Sequence, residues 1–480
     1  MKRRELLKQL GFGLTAGLAL PSVMFSCTKD DPGPEVPFDG TVAIIGAGAA
    51  GLYTADILRS KGINVVIFEA SGQLGGRIRS LRNQRDSNGN PIESIADFPV
   101  ETGAEFIYGT DSIWNEIVKN LNVPELVLNT NSDVYILGDE VKSATDWGTD
   151  ADFAAVKNFV DGLPTYTGGA VSIEQAAGVS PRAANLLNAW AANSFGSTSS
   201  RVGAKGMAES LAAITHNNQR VIISTNPMQD VLVSRFSDVK DKVILNTPIT
   251  SINYSGDRVV LTDKSGTQTE FEKVVVTVPL AVLKAGGISF SPALPGTNAG
   301  AFSQIGMDAC VRVVLDFKKN FWGDSTGLIS GGDLVPQYFN SGVGRSQFFR
   351  TLTGTVTGPK AEAISLLGQE NAIPLLLAEL DAIYNNQATE FVRRDLSTNK
   401  IISFIFDWTK DEYVKGGFSY PLVNGSLQSR ADLGTPIAGK VFFAGEATDV
   451  SGNAGTINGA LLSAERASAE LIESILNPGS

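Results

Sequence analysis

Residues 41–70 read TVAIIGAGAAGLYTADILRSKGINVVIFEA, and this stretch decides the fold. A β-branched run breaks into Gly46, Gly48 and Gly51, an apolar-periodic segment follows over 49–59, and a second β-branched run ends at Glu69. Strand, glycine turn, helix and strand in that order spell a βαβ unit. Gly46 permits the tight turn, Gly48 lets the backbone approach a pyrophosphate, and Gly51 lets the helix pack close to the strand. Ala49 and Ala50 open the helix, whose N-terminus then faces the phosphates. Glu69 is placed to accept hydrogen bonds from a ribose hydroxyl, and its charge argues against a 2′-phosphate there. A dinucleotide is expected, with NAD and FAD both open at this point.

The rest of the chain bounds the answer. With 480 residues and 43% hydrophobic content there is enough material for two sizeable cores. Lys and Arg number 39 against 50 Asp and Glu, a net charge of -11, and the body carries no basic block, so nucleic acid is not an expected partner. Cys27 and Cys310 are the only cysteines and His216 the only histidine. No disulfide framework and no metal site of the His/Cys type is expected, and His216 reads as structural. At the start, Lys2, Arg3, Arg4 and Lys8 precede an apolar stretch over 10–25, the layout of a signal peptide over 1–26. KRRELLK resembles a twin-arginine export signal, and Cys27, followed by a charged, proline-rich linker over 27–39, resembles a bacterial lipoprotein tether. The expected location is therefore outside the cytoplasm, either periplasmic or held to a membrane by lipid.

Four further stretches choose between the dinucleotides. EASGQLGGRIRS (69–80) carries Ala70, a second glycine pair, Gly75 and Gly76, and the forked cation Arg77. VETGAEFIYG (100–109) contains Gly103, Ala104 and Glu105. Residues 240–283 read as a meander of alternating strands with turns at 255–256 and 264–266, closing on a buried strand. GKVFFAGEATDVSGNAGTINGALLSAERASAEL (439–471) runs from a buried strand into Gly445 and Glu446, then through a glycine-rich loop into a helix near Asn458.

In this order the motifs resemble those of the flavin-dependent amine oxidases, which include monoamine, polyamine and L-amino-acid oxidases. The resemblance implies FAD as cofactor. It also implies an α/β fold in which a FAD-binding, Rossmann-like domain of the glutathione-reductase type carries an inserted α+β substrate domain. The FAD-binding segments would be 40–109, 226–285 and 426–480, with the substrate domain over 110–225 and 286–425. Carried over by residue, Gly75, Gly76 and Arg77 would meet the diphosphate, and Gly103 and Ala104 would pass close to the isoalloxazine. The backbone of Ile249 would receive the adenine, Glu446 would hydrogen-bond the ribityl chain, and the amides around Thr456 and Ile457 would face the pyrimidine edge.

The substrate side departs from the family. In FIFDWTKDEYVKGGFSYPLVNG (404–425), Trp408 would pack near the flavin and Phe418 would form an aromatic wall. Gly417 stands where covalent-flavin relatives have cysteine, so the FAD is expected to be non-covalent. Thr456 takes the place of the second aromatic, with Tyr420 as a possible substitute. In CVRVVLDFKKNFW (310–322), Arg312 replaces the lysine that many relatives place near flavin N5. The implied reaction is oxidation of a small-molecule amine to an imine with hydride transfer to N5, giving a carbonyl product, ammonia or a smaller amine, and hydrogen peroxide. Oxygen or another acceptor would take the electrons. Two alternatives remain at this level: a related FAD dehydrogenase or desaturase acting on carbon–carbon or ring bonds, and a flavin-holding electron-relay protein.

Overall fold

In the computed structural model, residues 34–81, 98–345 and 350–478 are described, within one compact unit that begins at Pro34. The export signal over 1–26, its arginines and Cys27 lie outside the described residues.

The βαβ expectation is met closely. Strand Thr41–Ile45 leads into helix Ala49–Ser60 and strand Asn64–Phe68, paired in parallel with Val42 opposite Val65. Three more strands, brought from far along the chain, complete a five-stranded parallel sheet in the order Val243–Ile244, Asn64–Phe68, Thr41–Ile45, Lys273–Val276, Val441–Phe443. Both faces of such a sheet must be covered, which accounts for its near-continuous β-branched and aromatic runs. Helices Ala49–Ser60 and Ile457–Leu476 pack together on one side, tied by the Tyr53 hydroxyl donating to Glu465 at 3.0 Å. On the other side lies the meander, strands Ile249–Asn253, Val259–Asp263 and Gln268–Phe271, whose Ile252, Leu261 and Phe271 share a core with Ala43, Val274 and Phe443.

A second layer is a seven-stranded mixed sheet ordered Ser403–Asp407, Cys310–Asp316, Thr351–Thr357, Gln337–Asn340, Leu328–Ser330, Val134–Leu137, Glu140–Ser143. Strand Cys310–Asp316 is buried along its whole length. Because side chains alternate across a strand, Val311, Val313 and Leu315 pack with the helical stretch Pro359–Ile383, and Cys310, Arg312 and Val314 point to the opposite face. A small sheet of Ile107–Tyr108, Arg220–Ile223 and Glu125–Val127 sits alongside. The glycine- and serine-rich stretch 194–206 ends in the first turn of helix Ala204–Ala213. Residue 206 is a glycine inside that helix because a side chain would meet the Gly425 carbonyl at 2.3 Å, a tertiary demand with no local sign.

Gly51 makes the closest demand of the βαβ unit, since a Cβ there would stand 1.9 Å from the Gly46 carbonyl oxygen. Gly51→Ala is expected to lose about 1–3 kcal/mol of stability through overpacking and to purify depleted of flavin. Gly148→Ala, with open space around the added methyl, should match the parent in both thermal melt and visible absorbance. A fully yellow Gly51→Ala protein with an unchanged melt would refute the packing argument.

Candidate active site

A cavity of about 770 Å³ runs between the two large sheets. Its wall includes Gly46, Gly48, Ala49, Ala50, Glu69 and Ala70 from the first segment, followed by Gly75, Gly76, Arg77, Gly103, Ala104 and Glu105. Ile249, Arg312, Trp408, Phe418, Gly445, Glu446, Thr456 and Ile457 come from downstream. All of the site residues expected from the sequence except Gly51 face this one space; Gly51 packs behind it.

The glycines divide into two kinds. At Gly46, Gly51, Gly75 and Gly103 a Cβ would strike protein atoms, most severely the Arg77 carbonyl at 1.8 Å from Gly103. Backbone packing by itself demands glycine at Gly103, which also lies on the cavity wall. At Gly48 and Gly76 the nearest atoms would be 3.9 and 3.6 Å away, so the missing side chains leave room on the cavity side. That cradle, which added methyls would partly fill, fits a bound pyrophosphate. Glu69, at the strand end, accepts from the Ala47 amide at 2.7 Å and from the Ser71 amide and hydroxyl at 2.8 and 2.7 Å, which fixes its carboxylate on the cavity wall. Ile249 opens its strand at a bulge on the same wall.

Glu446 is more heavily engaged than its sequence motif suggests. It accepts from Arg77 Nη1 at 2.7 Å, the Ser419 hydroxyl at 2.6 Å and the Gly455 amide at 2.7 Å. Burial pushes its carboxyl up, but the Arg77 and Arg430 charges and these hydrogen bonds outweigh it and hold the group below its ordinary range. Arg77 also donates to the Gly417 carbonyl at 3.0 Å, so one of its nitrogens braces the cavity wall. Arg430 escaped sequence reasoning because SLQSRADLG carries no motif. It is buried, donates to the Ser419 hydroxyl at 2.7 Å and the Ala447 carbonyl at 3.1 Å, and its own pKa is lowered by burial.

On the substrate side, the Phe418 ring lies against Gly196 and Gly455, where added Cβ atoms would come within 3.1 and 3.0 Å of it. Trp408 is buried, and its indole N–H donates to the Thr102 carbonyl at 2.7 Å. Thr456 caps helix Ile457–Leu476: its hydroxyl accepts from the Gly459 amide at 3.1 Å and donates to the Asn453 carbonyl at 2.6 Å. The Thr456 amide also donates to the Asn453 carbonyl, at 3.2 Å, and Ile457 holds the first helical position. Tyr420 does not replace the missing aromatic. Its ring packs against Gly306 and its hydroxyl donates to Asp308 at 2.8 Å, away from the cavity. His216, read as structural, bonds to Asn453 at 2.6 Å and the Asn217 carbonyl at 2.8 Å, but also stands on the cavity wall.

Arg312 arrives where the strand alternation points it. Its guanidinium bonds to the Thr355 hydroxyl, the Glu101 carbonyl at 3.1 Å and the Glu105 carboxylate in a buried ion pair. Ser341 and Thr353 hydroxyls donate to Glu105 at 3.1 Å. Glu105 is therefore the counter-charge of Arg312, a pairing that no spacing in the sequence announces.

A βαβ cradle joined to an aromatic-walled pocket defines a dinucleotide-dependent oxidoreductase. The sequence profile described as flavin containing amine oxidoreductase matches residues 179–472, and an NAD(P)-binding Rossmann-like profile matches 44–121. The chain belongs to the flavin-containing amine oxidoreductase family, and its cofactor is FAD. It is 24% identical to the human lysine-specific histone demethylase 2 over 91% of its own length and 54% of that protein. It is 23% identical to polyamine oxidase 3 of Oryza sativa subsp. japonica, over 90% of the chain and 89% of the relative. The chain spans about half the length of several of the curated relatives it matches. Its fold is similar to that of cyclohexylamine oxidase from Brevibacterium oxydans IH-35A, with a TM-score of 0.73 at 21% identity, covering 92% of this chain and 100% of that one.

Beside this pair, burial raises Glu101 to about 7; hydrogen bonds from Met228 and Ser80 pull it down, and the charge of Glu105 pushes it up. A carboxyl raised in the folded state contributes stability fully present below its ordinary 4.5 and lost as pH rises through 7. Glu101→Gln, whose carbonyl can accept from the Met228 amide while its NH2 donates to the Ser80 hydroxyl oxygen, is expected to gain on the parent by on the order of 3 kcal/mol at pH 8 and little at pH 4.5. Urea denaturation at the two pH values measures this; an equal difference at both would contradict it.

Proposed function

We propose that the protein oxidises a small-molecule amine to the corresponding imine, which water converts to a carbonyl compound and ammonia or a smaller amine, with oxygen reduced to hydrogen peroxide. The observation that carries this reading is the continuity of the cavity: the dinucleotide cradle at Glu69 and Gly48 and the aromatic wall at Phe418 bound one space. Bound FAD supplies a two-electron sink for the amine's α-hydrogen and its electron pair. The chain's residues bind and orient. Glu69, Gly48, Gly76, Arg77 and Glu446 hold the cofactor, and Phe418 presents a ring face to the amine. Phe418 and its apolar neighbours exclude water, which disfavours the ammonium form and delivers the neutral amine that can be oxidised. Arg312, locked by Glu105 and Thr355, keeps a positive group on the wall with its geometry fixed before substrate enters.

We read the FAD as non-covalent. A Cβ at residue 417 would stand 2.8 Å from the Cys310 Cβ, so the position cannot hold a cysteine without displacing that strand. Cys310 itself, though on the wall, is pushed up to about 12 by burial and stays a protonated thiol.

Two experiments test these readings. Primary and secondary amines added anaerobically to the yellow protein are expected to bleach the flavin, with stoichiometric peroxide on admission of air. Phe418→Ala should slow bleaching by about 10–100-fold through lost alignment. If no amine bleaches it but a polyene or porphyrinogen does, the amine assignment fails. We also propose export by the twin-arginine route, with either a lipid on Cys27 or release into the periplasm. Arg3→Lys with Arg4→Lys should retain the protein in the cytoplasm, and unchanged export would reject that route.

A further inference from the structure

The charges on the cavity wall sort the amines. Five acidic side chains face the space, and each is engaged. Glu69 is held by the Ala47 and Ser71 donors, and Glu446 is paired with Arg77 at 2.7 Å. Asp411 is paired with Arg79 at 3.1 Å and Glu412 with Lys264 at 2.8 Å, at the end lined by Thr247 and Pro248. Glu105, paired with Arg312, also takes the Ser341 and Thr353 hydroxyls. The other wall cations include Arg220, itself paired with Asp133. The same cavity wall is apolar at Phe195, Met207 and Ile214 and uncharged polar at Ser194 and Gln337, the last two in contact at 3.4 Å.

An amine about to be oxidised must shed its proton, and a dry pocket favours that. A second ammonium farther along the same molecule gains nothing from deprotonation. It would have to leave water although every carboxylate described on this wall is already engaged by a protein cation or hydrogen-bond donor. We infer that the substrate is an amine with a single cationic group and an otherwise uncharged body, and that the site discriminates against diamines and polyamines. This rests on the amine-oxidation reading above.

The holoenzyme tests it with matched pairs: hexylamine against hexane-1,6-diamine, and benzylamine against 4-(aminomethyl)benzylamine, each mixed anaerobically while flavin absorbance is followed. The monoamine of each pair is expected to reduce the flavin with a second-order rate constant at least about thirtyfold above that of the diamine. Gln337→Glu, which adds a carboxylate to the same wall, is expected to narrow that ratio by about tenfold. Diamines reacting as fast as monoamines would overturn the inference and leave amine oxidation standing. An unchanged ratio in a Gln337→Glu protein that absorbance shows to be fully loaded with FAD would overturn its electrostatic cause. Failure of all four compounds to bleach the flavin would instead bring down the amine reading and this inference with it.

Discussion

The buried carboxylate of Glu446 is the junction on which the cavity depends. Its partners come from four separate stretches: Arg77 from the first segment, Ser419 from the aromatic-wall segment, Arg430 acting through its charge, and Gly455 from the loop ahead of the last helix. An unpaired carboxylate in this position would cost several kcal/mol in desolvation. The folded chain meets that cost only when all four stretches have arrived, so the interaction that fixes one ionised group also fixes the path of the backbone around it. Removing a single partner leaves the remaining charges without balance, which is more damaging than removing the whole set.

Arg312 and Glu105 make a second junction on the same principle. Arg312 belongs to the strand next to one edge of the seven-stranded sheet, Glu105 to the loop after strand Val100–Glu101, and Thr355 is directly opposite Arg312 on the neighbouring strand. The pair joins the sheet of the substrate side to the segment that follows the βαβ unit. It also cancels most of the charge that Arg312 brings, so the wall gains a rigid polar feature without a strong field. A lysine at this position would offer a compact, mobile ammonium; the planar guanidinium instead spans three acceptors at once.

The parts of this arrangement that were legible in the sequence are those whose causes are local. Gly46, Gly51 and Glu69 announce a βαβ unit because turn, packing and strand length all fall within one short stretch, and the strands appear within a residue or two of where alternation places them. Glu446 was legible as a residue but not as a junction, since Arg430 lies in a helix whose sequence carries no signature. Gly103 was legible as a residue of the cavity wall, but the Arg77 carbonyl that also demands a glycine there was not. Thr456 looked like an absent aromatic, although a threonine directly before a long helix has a commoner use as its cap, and that signal was available. What stayed hidden has a common cause: a small or polar residue has several physical uses, and only its tertiary neighbours show which it serves.

Strand Cys310–Asp316 shows how the two sides of the molecule are made interdependent. Its odd-numbered residues Val311, Val313 and Leu315 complete the helical core, while Cys310 and Arg312 reach the cavity, so no residue of it is free to move alone. A shift of this strand to accommodate a larger side chain in the helical core would carry Arg312 off Glu105 and press Cys310 against Gly417, where a Cβ already has no room. The geometry at the aromatic wall is thus set partly by packing on the far side of the sheet. Close-packed interiors transmit such strain because they have little void to absorb it.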